Sequence, residues 1–238
     1  PCVYEVIRLT DGKPQFLPEH YARLENSLGA IGKPVPFSCE TLGQSIAELA
    51  EEGQIKNHNI KLEVDLSGHG MLYLNPTHYP SLEQYAEGVR TELFLGERKN
   101  PHIKMMDQAL RDATDAAIKT HNLYEVILVD RAGQITEGSR SNIFFIKNGE
   151  LYTSPLGQVL PGVTRNKIIE IVKNKGIAVH EDPIPASSVA DFDAAFISGT
   201  SPKVLPIASL GDITYDVNDP LLRSLMDWYD EAFLSQVE

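Results

Sequence analysis

Strand-like and helix-like segments alternate along this chain, separated by short turns, and that order constrains its fold more than any other feature. Residues 3–9 are β-rich and run into Asp11-Gly12-Lys13, a hairpin-type turn. Residues 18–28 read as a helix, with Pro18 near its first turn and Leu17, Tyr21, Leu24 and Leu28 at helical spacing. A second amphipathic helix spans 39–52, with Gly53 as its stop. Residues 60–66 and 71–75 alternate as two strands joined around Ser67-Gly68-His69-Gly70, and 88–95 make a further strand. The polar, Gly- and Pro-containing stretch 96–101 then marks a boundary. It predicts a small N-terminal domain over 1–95, a linker over 96–100 and a larger domain over 101–238.

Beyond the boundary, 106–120 reads as a helix and 125–129 as a strand leading to the turn Asp130-Arg131-Ala132-Gly133. Residues 141–146 and 150–153 flank Lys147-Asn148-Gly149, a hairpin signal. A helix over 164–175 closes at Gly176, 194–197 is a buried strand, and a terminal helix over 221–234 carries the only tryptophan, Trp228. Two strand-rich halves with interspersed helices predict an α+β fold of two domains rather than a doubly wound sheet.

With 238 residues, 42% of them hydrophobic, the chain can bury a full core. Its net charge of −12 argues against a nucleic acid or an anionic membrane as partner, but leaves room for one small anion in a local pocket. No apolar run approaches the roughly 18–20 residues of a membrane-spanning helix, and the N-terminal residues lack the regions of a signal peptide. Cys2 and Cys39 make neither a disulfide framework nor a metal cluster. A soluble cytoplasmic protein without a metal site is the expectation.

Several polar groups stand where cores and caps do not require them. Lys104 sits in His102-Ile103-Lys104-Met105-Met106, apolar on both sides. Apolar surroundings disfavour the ammonium and leave a neutral, nucleophilic amine; the same residue also reads as a lysine snorkelling from a helix start. Glu137-Gly138-Ser139-Arg140-Ser141-Asn142, at a strand junction, reads as a cleft lining or as an ordinary turn. Leu160-Pro161-Gly162-Val163-Thr164-Arg165 opens a helix, where backbone N–H groups favour an anion, and Ser198-Gly199-Thr200-Ser201 is a second small, hydroxyl-rich turn.

Taken together and in order, these segments resemble the fold-type IV pyridoxal-phosphate enzymes, the group of branched-chain and D-amino-acid aminotransferases and aminodeoxychorismate lyase. The resemblance runs over nearly the whole chain. It includes Val3-Tyr4-Glu5-Val6-Ile7-Arg8, His20-Tyr21-Ala22-Arg23-Leu24, Ile103-Lys104 and Glu137-Gly138-Ser139-x-Ser141-Asn142, with Leu160-x-Gly162-Val163-Thr164-Arg165 and Ser198-Gly199-Thr200 after them.

The resemblance implies pyridoxal 5′-phosphate held as a Schiff base on Lys104, whose freed amine then shuttles the substrate proton. It implies Glu137 at the pyridine nitrogen and Arg23 on the phosphate, with Val163, Thr164, Gly199 and Thr200 around it. Leu160 would support the ring, and Ser139, Ser141, Asn142 and Gly162 would line the cofactor site. Tyr4 is either a substrate-side tyrosine or part of the small-domain core. The implied activity moves an amino group between an amino acid and a 2-oxo acid, with 2-oxoglutarate as acceptor by analogy. A homodimer is implied. The alternatives are a lyase that releases pyruvate and a degenerate binding protein; retention of Lys104, Glu137 and Arg23 together speaks against the last.

The sequence departs from the family in three ways. The given sequence starts almost at the segment of Val3, without the few tens of residues that usually precede it, as a naturally shortened member or an incomplete chain would, and carries Cys2 where a glycine is common. Residues 61–68 carry no arginine for a substrate carboxylate, which leaves His69, Arg98 and Lys99 as substitutes. Asp107, near the lysine, either stands in for a family asparagine or starts a helix.

Overall fold

The structure, a computed structural model, describes residues 2–236. The chain divides into two compact units: 2–78 with His102–Met106 and 231–236, and Tyr79–Pro101 with Asp107–Asp230.

The first unit contains β1 (Cys2–Thr10), β2 (Lys13–Pro14), α1 (Leu17–Gly29), α2 (Cys39–Glu52), β3 (His58–Asp65) and β4 (Gly70–Leu74). Its four strands run antiparallel in the order β2-β1-β3-β4. Period-2 alternation puts Val3, Ile7 and Leu9 of β1 and Ile60, Leu62 and Val64 of β3 in one core with Leu24, Leu28, Leu42 and Ile46 of the helices. The Ser38 hydroxyl caps α2 by accepting the Thr41 N–H at 3.1 Å. Residues 102–106 return to β1, where Val3 bridges Met105 and the Tyr4 N–H donates to the Lys104 carbonyl at 3.0 Å.

The second unit contains α3 (Leu82–Glu87), β5 (Val89–Leu95), α4 (Gln108–His121), β6 (Glu125–Val129), β7 (Gln134–Gly138), β8 (Asn142–Lys147) and β9 (Glu150–Thr153). It continues through α5 (Val163–Asn174), β10 (Val179–Glu181), β11 (Ile184–Pro185), β12 (Ala194–Gly199), β13 (Lys203–Leu210), β14 (Ile213–Thr214) and α6 (Pro220–Leu234), whose last turn passes to the first unit. One mixed ten-stranded sheet runs β10-β9-β8-β12-β13-β5-β6-β7-β11, with β14 on β13. Phe145 and Ile143 pack with Ala195, Ile197 and Ile207 on one face, while Phe144 stacks on Phe196 with centroids 4.9 Å apart on the other. Burial on both faces is why β8 and β12 read as unbroken apolar runs.

The structure divides the chain elsewhere than at residue 96. β5 lies between β13 and β6, so the stretch from Tyr79 belongs to the second unit, and the lysine segment 102–106 belongs to the first. The helix expected over 106–120 begins at Gln108, because Asp107 is its N-cap and accepts the Leu110 N–H at 3.2 Å. That settles Asp107 as a helix cap.

Candidate active site

In the first unit, alternation along β1 turns Glu5 toward α1, where His20 and Arg23 lie one turn apart. Arg23 donates from Nε to Glu5 Oε1 at 2.8 Å and from Nη2 to Oε2 at 2.5 Å. His20 Nδ1 adds a contact to Oε2 at 2.8 Å, and all three side chains are buried. A carboxylate only accepts, so Nδ1 carries the hydrogen. Burial works against the charge on Glu5, but the Arg23 charge and the hydrogen bonds from Arg23 and His20 outweigh it and hold its pKa at about 2. Burial also lowers the pKa of His20, against the pull of Glu5. Arg23 is thus oriented by Glu5, with two nitrogens committed to it.

Lys104 does not start a helix. Its carbonyl accepts from Tyr4, its N–H donates to Ser27 Oγ at 3.2 Å, and its Nζ lies 4.8 Å from the centroid of the Tyr4 ring. The same ring has a second ammonium 5.0 Å from its centroid, that of Lys61, a residue that nothing in its strand sequence marks out. Lys61 Nζ pairs with Glu63 Oε1 at 2.6 Å, and the Tyr73 hydroxyl donates to that oxygen at 2.9 Å. Burial opposes the charge on Lys61, but Glu63 and Tyr73 more than compensate and raise its pKa. His69 stands apart: it is 85% exposed and held in the β3–β4 turn by Ser67 and Asp65.

In the second unit Glu137 is buried near the end of β7. The Leu160 N–H donates to its Oε2 at 3.3 Å, and Arg98 Nε lies 3.2 Å from its Oε1, close enough for an ion pair but not aligned as a hydrogen bond. Arg98 Nη2 reaches the Ser139 carbonyl at 3.4 Å. Arg98 therefore faces Glu137 and its loop, and Lys99 is exposed.

The loop before α5 is set by Asn142. Its Nδ2 donates to the Leu160 carbonyl at 3.0 Å, and its Oδ1 occupies the space where a Cβ on Gly162 would sit, 2.1 Å away. Gly162 is thus the N-cap of α5 because no side chain fits there, and it has no side chain with which to cap the N–H groups that follow at Val163 and Thr164. The Tyr229 hydroxyl reaches Thr164 Oγ1 at 3.5 Å. Gly162→Ala is expected to cost about 2–3 kcal/mol by displacing the Asn142 amide. In urea melts Gly162→Ala with Asn142→Ala should cost clearly less than the sum of the two singles, because the collision is with that side chain.

Ser139 and Ser141 turn to Glu125. Its Oε1 accepts from Val126 N–H at 2.9 Å, Ser139 N–H at 3.2 Å and Ser139 Oγ at 2.6 Å; its Oε2 accepts from Arg140 N–H at 3.1 Å and Ser141 Oγ at 3.0 Å. Ser139, Ser141 and Asn142 therefore brace the loops that carry Glu137 and Gly162. Gly199 ends β12, and Thr200 opens the turn to Lys203, which takes a left-handed φ of 56°. The neighbouring Ser198 Oγ is buried with no hydrogen-bond partner among the described residues. Arg165, fully buried, ties α5 to the Ser154 carbonyl at 3.1 Å and to Glu181 at 2.9 Å, a structural role. Among the described residues no group of three or more His, Cys, Asp or Glu side chains is placed to hold a metal, and no helix is long and apolar enough to cross a membrane.

Comparison with known proteins matches residues 2–210 to the amino-transferase class IV family, and the chain belongs to that family. A D-alanine aminotransferase of Listeria monocytogenes serovar 1/2a is 31% identical over 229 residues, covering 89% of this chain and 78% of that one. A solved structure from Thermotoga maritima, described as a branched-chain amino acid aminotransferase, is 27% identical with a TM-score of 0.88, over 98% of this chain and 86% of that one. The branched-chain amino acid aminotransferase of Escherichia coli shares the fold, with a TM-score of 0.86 at 23% identity over 100% of this chain and 87% of that one. The chain is thus an aminotransferase-family enzyme with the fold-type IV architecture.

Proposed function

We propose that this protein transfers an amino group from an amino acid to a 2-oxo acid with pyridoxal 5′-phosphate as cofactor. One observation carries the reading. Leu160 donates its N–H to the buried carboxylate of Glu137, and two residues later Gly162 opens the uncapped N-terminus of α5. A single short loop thus joins a buried carboxylate to an anion-accepting helix end, the two kinds of group that a pyridine nitrogen and a phosphate call for. The donor set fits that cofactor: an amine at Lys104, a carboxylate at Glu137, helix N–H groups and the Gly199-Thr200 turn.

When bound, the cofactor withdraws electrons from the substrate's α-carbon. Lys104 is the residue that would hold the cofactor, and its amine would move the proton of that carbon. Glu137, with the Arg98 guanidinium beside it, would hold a proton at the ring nitrogen. Arg23, fixed in direction by Glu5, is the proposed phosphate-binding cation of the first unit; in the second unit Val163, Thr164, Gly199 and Thr200 would bind the phosphate and Leu160 would support the ring. Ser139, Ser141, Asn142 and Gly162 hold these groups in place. Tyr4 lies on the substrate side, against the amine of Lys104. The reading includes a homodimer, which would cover Leu93 and Leu95, 42% and 84% exposed on β5, and a reducing cytoplasm, in keeping with two unpaired cysteines.

The test is a visible spectrum of the protein with pyridoxal phosphate, followed by a screen of amino acids in both hands for bleaching of the band. A band absent from Lys104→Ala, bleached by a donor and restored by a 2-oxo acid, is expected. Pyruvate released without any acceptor would replace aminotransfer with elimination. A folded protein without a Lys104-dependent band would end the catalytic reading.

A further inference from the structure

Two buried carboxylates of this chain meet an arginine in different ways. In the first unit Glu5 receives two directed bonds from Arg23, at 2.8 and 2.5 Å, which commit the guanidinium to it. In the second unit Glu137, its side chain 3% exposed, has Arg98 Nε 3.2 Å from Oε1, but that N–H makes no hydrogen bond. The same guanidinium turns its Nη2 to the Ser139 carbonyl at 3.4 Å, and the Leu160 N–H donates to Glu137 Oε2 at 3.3 Å. Arg98 thus meets Glu137 as a charge rather than as a bidentate partner.

That difference has a consequence for a proton held at Glu137. A buried carboxylate needs a positive charge near it, and Arg98 supplies one without a directed bond to Oε1. The charged groups around the pair are engaged elsewhere. Glu125 accepts from the loop that follows Glu137, Arg140 pairs with Asp115, Arg131 pairs with Glu97, and Lys99 is exposed. A lone carboxylate would attract a ring proton with a full negative charge. With a guanidinium 3.2 Å away the two charges largely cancel at a distance, and the guanidinium itself repels a protonated ring. Both effects have one sign: they make the proton easier to lose.

We propose that Arg98 is a positioning residue that weakens, through Glu137, the hold on the cofactor's ring proton, and so limits how strongly the ring draws electrons from the substrate. The proposal rests on the aminotransferase reading, with Glu137 at the ring nitrogen. It predicts the reverse of an ordinary supporting role. Removing Arg98 tightens the ring proton, whereas removing a mere brace would let Glu137 drift and would loosen it.

The experiment loads the protein with pyridoxal phosphate carrying ¹⁵N in its ring and follows the nitrogen resonance through a pH titration, with no substrate present. Arg98→Met is expected to keep the Lys104-dependent band and to bind the ring proton about tenfold more tightly or better, a midpoint about one pH unit higher. Arg98→Lys keeps the charge and should stay within about threefold of the parent, while Glu137→Gln should loosen the proton about tenfold or more. A midpoint in Arg98→Met that is unchanged or lower overturns the proposal and leaves the aminotransferase reading standing. So does an equal rise in Arg98→Lys, or a parent nitrogen that keeps its proton up to the pH of unfolding. A midpoint unmoved by Glu137→Gln overturns the placing of Glu137 and the proposal with it. Absence of a Lys104-dependent band in the parent overturns the aminotransferase reading as well. Should Arg98→Met fail to fold, Arg98→Gln, which keeps a donor for the Ser139 carbonyl, decides by the same midpoint.

Discussion

Replacing Glu5 with alanine is expected to destabilise the first unit by about 3–5 kcal/mol, the usual cost of removing one partner from a buried ion pair. Arg23 and His20 would be left buried around a void, with the Nε, Nη2 and Nδ1 donors of the present network facing no acceptor. Glu5→Gln should cost less, because one oxygen remains to accept, although its amide hydrogens then face a guanidinium. The pH dependence identifies the mechanism. The pKa of Glu5 is lowered in the folded state, from 4.5 to about 2, so the unfolded chain binds more protons across that interval. The corresponding stability is present above about pH 4.5 and is lost as pH falls toward 2, by at most about 3 kcal/mol. The pKa of His20 is also lowered, from 6.5, so its contribution acts with the same sign and begins to be lost as pH falls below that value. Urea midpoints between pH 7 and 3 should converge for parent and Glu5→Gln; a gap that stays constant with pH would show that the network is not electrostatic.

This network also shows where sequence reading succeeds and where it stops. The strand at 3–9, the helices at 18–28 and 39–52 and the hairpin around Asn148 were legible because period and turn chemistry agree there. β13 was not legible. Its sequence Lys203–Leu210 contains Pro206, which ordinarily excludes a central strand, yet the strand lies between β12 and β5. The sheet accommodates it because pairing with β5 begins only at Ile207, followed by an irregularity in register. The unit boundary was missed for a related reason: the polar stretch at 96–101 is a true loop, but partner choice in a sheet is non-local.

Among site residues, Lys104 and Glu137 stood out as residue types out of place, and the ordered motifs carried the family. The partners of those residues did not stand out. Nothing in a strand reading of Lys61-Leu62-Glu63 says that its lysine shares a tyrosine with Lys104, because that depends on the register of three strands and on the return of 102–106 to β1. Glu125 was read only as the first residue of a strand, although it organises the loop that follows Glu137.

Glu125 carries the other large effect. Its carboxylate accepts from three backbone N–H groups and two hydroxyls, at 2.6–3.2 Å, with no cation among these five donors. Each buried donor deprived of its acceptor costs about 1–3 kcal/mol, although the hydroxyls can turn elsewhere. Glu125→Ala is therefore expected to lose about 3–5 kcal/mol and to speed amide hydrogen exchange at Val126, Ser139 and Arg140 before the rest of the sheet. Glu125→Gln should lose only about 1–2 kcal/mol, because its oxygen can occupy the Oε1 position with three donors. Its NH₂ then meets Ser141 Oγ, which can accept, and the Arg140 N–H, which cannot. Gly138 reports on the same packing from the other side: a Cβ there would lie 2.1 Å from Ser141 Oγ and 3.0 Å from Glu125 Oε2. Gly138→Ala should therefore hurt the parent more than it hurts Glu125→Ala, where the space has opened. If the two substitutions instead add in a double-mutant cycle, Glu125 does not hold the loop, and the direction of Glu137 is fixed by its own contacts, those with Leu160 and Arg98 among them.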